Sequence, residues 1–332
     1  MFDSLAKFVT EQFAALHGHV FETAVLPLLH SLGLGGYAEQ VFDGTEFFLI
    51  GAIEITLLAV ILGAIEKRYP AEAQRDESAK RVDVIYTMLQ RLGFVPLLMF
   101  LLLMPVVDAL DGVMRMHDII PCKLEDMLPM LNDSPWLSFF CYLVILDFVA
   151  YWLHRAQHQI NPWWALHSLH HSQREMTFWS DDRNHLLDDF LIDGAFALVA
   201  LLIGVAPAQF VTLVVASRVV ESLSHANLKL SFGRIGQYLL VSPRFHRVHH
   251  GIGVGHEGHA RGVNFAVLFP VWDVIFRSAD FKDIYPATGV RDQLDGRNYG
   301  IGFWDQQWLG IQRLVQSLAG IRQSSTTVRQ RV

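Results

Sequence analysis

Apolar stretches set the fold of this chain before any motif is considered. Phe47–Ile65 is interrupted only by Glu54 and Thr56. Leu92–Leu110 carries Asp108 near its end, and Trp136–Leu153 carries Asp147 inside it. Phe190–Val220 is longer still and holds Pro207 near its middle. About 20 apolar residues cross a bilayer as a helix, so each of the first three predicts one span. The fourth is too long for one span and predicts either a long bent helix or a tight hairpin of two. Charged residues make up 18% of the chain, below the usual quarter of a soluble domain.

The charge pattern orients these spans. Lys67, Arg68, Arg75, Lys80, Arg81 and Arg91 crowd the connection Glu66–Arg91, which the positive-inside rule places in the cytoplasm. The connection Asp111–Pro135 has few basic residues and falls on the other side. The third span then returns to the cytoplasmic face, and the Phe190–Val220 segment goes in and comes back. A net charge of −7 with no long basic run argues against nucleic acid as a partner. Cys122 and Cys141, the two cysteines, cannot build a thiolate zinc site or an iron–sulfur cluster. The N-terminus lacks a basic stretch followed by an apolar one, so no cleavable signal peptide is read there.

Three histidine motifs lie where the spans emerge. They are His154-x-x-x-His158, His167-x-x-His170-His171 and His246-x-x-His249-His250. Positions i, i+3 and i+4 share one face of a helix, so each motif presents a face of imidazoles. Neutral imidazole is the commonest transition-metal ligand. Eight are too many for one ion and suit two. A single histidine on an apolar face is ordinarily packed or hydrogen-bonded, whereas three such motifs on one predicted membrane face point to metal. Imidazole suits iron, copper, nickel and zinc alike. Two irons would activate dioxygen, and two zincs would activate water.

Further residues follow from spacing. Asp147, Tyr151, His154 and His158 form one helical stripe, so Asp147 is expected to accept the spare imidazole N–H, or else to pair with Arg91 or another basic residue. Glu221, one turn before His225, is expected to serve that histidine, and Asp188 or Asp189 to serve His185. Trp163, Trp164 and Trp179 read as interfacial anchors, and Trp272-Asp273 as packing for the metal-bearing lobe. His256 and His259 read as shaping an entrance. His17, His19, His30 and His117 read as ordinary surface or interfacial histidines.

The residues Asp147-Phe-Val-Ala-Tyr-Trp-Leu-His154, Leu166-His-Ser-Leu-His-His171, Ser242-Pro-Arg-Phe-His-Arg-Val-His-His250, Asn264-Phe and Trp272-Asp-Val-Ile-Phe276 resemble the fatty acid hydroxylase/sterol desaturase superfamily over roughly residues 140 to 280. That resemblance implies an integral-membrane, non-haem di-iron oxygenase acting on lipids with dioxygen and electrons from a separate reductase. It implies iron ligation by the eight histidines of the motifs. His225, in Ser-His-Ala-Asn, matches the family's extra histidine and becomes a ninth ligand. His185, in Arg-Asn-His-Leu-Leu-Asp188, resembles the His-Pro-x-Asp site of some sterol desaturases, with Leu186 in place of proline, and is a further candidate.

The expectation is therefore an all-α integral membrane protein with about four transmembrane helices and a cytoplasmic helical metal-binding lobe. Residues 1–40 form an interfacial or partly embedded segment, 41–135 the first two spans, 136–280 the catalytic domain and 281–332 a cytoplasmic tail. The expected function is hydroxylation or desaturation of a sterol or fatty acyl lipid. The alternatives are a membrane zinc hydrolase, disfavoured because Arg155 stands where an HExxH motif has its glutamate, and a non-enzymatic metal carrier.

Overall fold

The computed structural model describes residues 2–205, 207–258 and 261–320. His259 and the tail Gln323–Val332 lie outside the described residues. Those residues are helical, with no strand and two isolated β-bridges, in keeping with the all-α expectation.

Helix α1 (Phe2–Val20) precedes the long helix α2 (Ala38–Arg68). His17 is not a surface residue: it is buried, and its Nε2 lies 3.0 Å from the Phe42 carbonyl. Helix α3 (Glu77–Arg91) starts where the Asp76 carboxylate accepts from the Ser78 and Ala79 amides, an ordinary N-cap. Helices α4 (Phe94–Met116) and α5 (Pro135–Gln159) follow. Among the described residues three helices, Gly35–Arg68, Phe94–Met116 and Pro135–Gln159, are long and apolar enough to span a membrane, and they cover the three runs read from the sequence except Leu92 and Gly93, which precede the second helix.

Helix α6 (Asn161–His171) turns away directly after α5. The apolar run that ended on two alternatives is a hairpin: α7 (Leu186–Ile203) and α8 (Pro207–His225). The break falls at Gly204, whose φ of +64 suits the left-handed C-terminal turn that glycine takes without strain. At 1.5 Å per residue each arm is about 27–29 Å long, close to the hydrocarbon thickness. Helices α9 (Pro243–His249) and α10 (Val271–Ile275) are short, and α11 (Phe303–Leu318) packs against α6.

A charge network ties the bundle together at one depth. The buried Arg91 guanidinium donates to Glu54 at 2.7 Å, Asp181 at 2.8 Å, Asp182 at 2.8 Å and Ser222 at 2.6 Å. It joins α2, α3, the Phe178–Asp182 turn and α8. Charges so far from water persist only when paired and hydrogen-bonded, and here every arm of the fork is used.

Candidate metal centre

The last two turns of α5 aim His154 and His158 inward. Helix α6 brings His167, His170 and His171, the end of α8 brings His225, and α9 brings His246 and His249 with His250 just beyond. All nine are buried. They form two groups: His154, His158, His167, His171 and His249, and His170, His225, His246 and His250. Within each group one ligand nitrogen per residue lies within 4.8 Å of all the others.

The motifs do not map one to one onto the groups. In α6 the i,i+4 pair His167 and His171 joins the first group and His170 crosses to the second. At α9 the pair His246 and His250 joins the second group and His249 crosses to the first. This exchange holds the groups side by side, with the His171 and His250 rings stacked 4.2 Å apart.

The ring nitrogens divide into those with a protein partner and those without. A neutral imidazole has one N–H and one lone pair. Backbone carbonyls take the N–H of three residues: His154 Nδ1 lies 2.8 Å from Phe265 O, His249 Nδ1 2.8 Å from Val263 O and His225 Nδ1 2.8 Å from Glu221 O. Each leaves Nε2 as the lone pair. His225 Nε2 then faces His170 Nε2 at 3.1 Å and His246 Nε2 at 2.9 Å, and His246 Nε2 faces His250 Nε2 at 3.1 Å. Imidazole nitrogens bound about 2.1 Å from one ion at right angles would stand about 3 Å apart.

Nine further ring nitrogens in the two groups are buried without a partner: both of His158 and of His171, Nε2 of His167 and His249, and Nδ1 of His170, His246 and His250. At about 1 kcal/mol or more each, their total would rival the whole stability of a domain. A cation in the first group would take one lone pair each from His158, His167, His171 and His249, and one in the second the converging Nε2 atoms of His170, His225, His246 and His250, offsetting part of that cost, so the donor set fits two imidazole-bound ions. Burial, and then the neighbouring imidazoles, hold His170, His171, His246, His249 and His250 well below the ordinary imidazole range. They are therefore neutral, the form that binds metal.

The surrounding carboxylates differ from the expected pairings. Asp147 orients no histidine and does not meet Arg91; it accepts from the Leu268 amide at 2.8 Å, the Phe269 amide at 3.1 Å and Trp272 Nε1 at 2.8 Å. It thus pins the returning loop onto α5. The Glu221 contact to His225 is through the backbone oxygen, and the carboxylate beside that ring is Asp181, 3.3 Å from Nδ1. Asp188 serves His167 instead of His185, with Oδ2 3.2 Å from Nδ1. It also accepts from Gln157 and from the half-buried Trp163, so Trp163 braces a carboxylate of the site. Asp273, pushed up to about 6 by burial, accepts from the Phe265 and Ala266 amides and from Ser278, the packing role read for Trp272-Asp273.

His185 stands outside both groups. Its Nε2 lies 2.9 Å from the Gln307 carbonyl, and its Nδ1 accepts the Leu187 amide at 3.1 Å, capping α7. His256 lies closer to the centre than its glycine-rich loop suggested. Its ring stacks on Trp164 and sits 5.2 Å from His171, with neither nitrogen partnered. Asp181 and Val263 carried no signal in the sequence, and Phe265 entered only through the Asn264-Phe resemblance, because each reaches its histidine only through tertiary folding.

Comparison with known proteins adds the context. A model of the family described as fatty acid hydroxylase matches residues 139–278, a segment holding all nine histidines. Alkylglycerol monooxygenase from Caenorhabditis elegans is 30% identical over 160 residues, 48% of this chain and 30% of that protein. The Homo sapiens alkylglycerol monooxygenase is 28% identical over 158 residues, 48% of this chain and 34% of that protein. Ornithine lipid hydroxylase OlsE from Rhizobium tropici is 28% identical over 131 residues, 40% of this chain and 38% of that protein. The matched segment spans about a third of the length of these curated relatives. No solved structure matches.

Proposed function

Because residues 139–278 match the model of the fatty acid hydroxylase family, we propose that this membrane protein is a non-haem di-iron oxygenase that hydroxylates a C–H bond of a lipid. The observation that carries the reading is the pair of buried imidazole groups with converging, unpartnered nitrogens. His154, His158, His167, His171 and His249 would hold one iron, and His170, His225, His246 and His250 the other. Bound there, the irons supply dioxygen activation and cleavage of an unactivated C–H bond.

The chain's own residues prepare that chemistry. Carbonyls of Phe265, Val263 and Glu221 and the carboxylate of Asp188 fix the tautomers and ring orientations of four ligands. The Phe265 ring, itself fully buried, lies against His154, His158 and His249 and keeps water from that side. The ends of α5 and α8 set the centre where helices leave the hydrocarbon. A lipid can then enter laterally while electrons come from a separate reductase in solvent. By the positive-inside rule that side is the cytoplasm.

The named relatives suggest two substrate classes, ether-linked glycerolipids and amino-acid-headed lipids; sterols and other acyl lipids are further classes of the same reading. Hydroxylation is favoured over desaturation because it needs one hydrogen abstraction and not two. Comparative lipid mass spectrometry of cells with and without the protein tests this. A lipid heavier by one oxygen, present only with the protein, supports it; a lipid lighter by two hydrogens identifies desaturation. An unchanged lipid profile with stoichiometric zinc in the purified protein contradicts the oxygenase reading.

A further inference from the structure

Helix α11 buries several polar side chains and leaves large apolar ones exposed, beside exposed Asp305, Gln312 and Gln316 on one flank. Its packed face carries Gln306, Gln307, Gly310 and Arg313, all buried. Its outer face carries Trp304, Trp308, Val315 and Leu318, exposed at 75%, 61%, 57% and 67%. These four recur at steps of four, seven and three, so they form one stripe along the helix. A contiguous apolar stripe of this kind marks a surface that meets something other than water.

The contacts of α11 give its depth. The Gln307 carbonyl takes His185 Nε2, and the Gln307 Oε1 accepts the Leu186 amide at 2.8 Å. Leu186 is the first residue of the hairpin arm α7. Arg313 Nε donates to Ala165 O on α6, just after the end of the spanning helix α5. Gly310 is required here, because a Cβ would collide with the His185 ring. The middle of α11 is thus held beside the start of α7 and just past the end of α5, the level at which those helices would leave a membrane. Tryptophan is enriched at that level, where an amphipathic ring suits the headgroup layer. Residues 319–332 carry Arg322, Arg329 and Arg331 and no acidic residue, a charge that anionic lipid head groups attract.

We infer that α11 lies in the headgroup region of the leaflet beside the metal centre, with the Trp304–Leu318 stripe in lipid, so that the C-terminal segment is a second membrane attachment. The inference holds whichever reaction the centre performs. A lipid-seated α11 also fixes the height of α6, which bears three of the histidines, against the leaflet from which substrate would come.

The test is spin labelling of the full chain in vesicles of phosphatidylcholine and phosphatidylglycerol. With Cys122 and Cys141 changed to serine, one nitroxide is placed by Trp304→Cys, Trp308→Cys or, as the exposed water control, Lys282→Cys. Labels at 304 and 308 are expected to lose broadening by an aqueous nickel chelate and gain broadening by lipid-soluble oxygen, the reverse of the label at 282. Chelate access equal to that at 282 overturns the inference. Shielding from both reagents, with dipolar coupling between labels on two copies, overturns it in favour of a protein partner. A readout without cysteine uses brominated lipids, whose quenching of tryptophan fluorescence should diminish in the Trp304→Phe, Trp308→Phe variant. Unchanged quenching counts against the inference, and unchanged metal content shows that this variant is folded.

Discussion

Asp188 Oδ2 lies 3.2 Å from His167 Nδ1, while its other oxygen takes Gln157 Nε2 at 2.8 Å and Trp163 Nε1 at 2.7 Å. One carboxylate at the start of α7 therefore joins α5, α6 and the hairpin and sets the orientation of one imidazole. Asp188→Asn keeps the volume and removes the charge. It is expected to weaken metal binding by about 10- to 100-fold, read by competition with a chelator. Unaltered affinity contradicts the orienting role.

His225 belongs to the four-imidazole group alone. His225→Ala is expected to lower the metal content from two ions per chain to one and leave the five-imidazole ion in place. Elemental analysis of the purified variant reads this directly. Retention of both ions shows that His225 is no ligand.

His185 predicts the opposite pattern. His185→Ala removes the cap of α7 and the contact to Gln307, with an expected stability loss of about 1–2 kcal/mol. Thermal unfolding in detergent should move down while both metal ions remain. Loss of an ion in that variant contradicts the placement of His185 outside the groups.

Acidity has a defined sign for the metal-free protein. Unfolded imidazoles take up protons near pH 6.5, but burial keeps folded His170, His171, His246, His249 and His250 neutral to well below that value. The unfolded state binds more protons throughout that interval. Stability of the apoprotein must therefore fall as pH drops below about 6.5. Melting temperatures measured after chelator treatment should decline steadily from neutral pH downward. A flat profile contradicts neutral, buried imidazoles.

The legible part of this molecule was local. Spacing of three or four residues puts His167 and His171 on one helix face whatever the tertiary fold, and runs such as Leu92–Leu110 reveal spans through hydropathy alone. Partners distant in sequence were not legible. Asp147 shares a stripe with His154, yet it holds the amides of Leu268 and Phe269, more than a hundred residues away. Asp188 is three residues from His185 and serves His167 across the bundle. The crossing of His170 and His249 between groups depends on how α6 meets α9. No spacing within either motif encodes that. Gly204, three residues before the described start of α8, ends the first hairpin arm, so Pro207 marked the region of the break and not its position.

The most direct test of two imidazole-held irons is elemental analysis with Mössbauer spectroscopy on protein purified in detergent without added chelator. The account predicts two irons per chain, one for each imidazole group, both lost on chelation along with oxygen uptake in the presence of lipid and reductant. A single ion, or zinc in place of iron with no oxygen uptake, contradicts it.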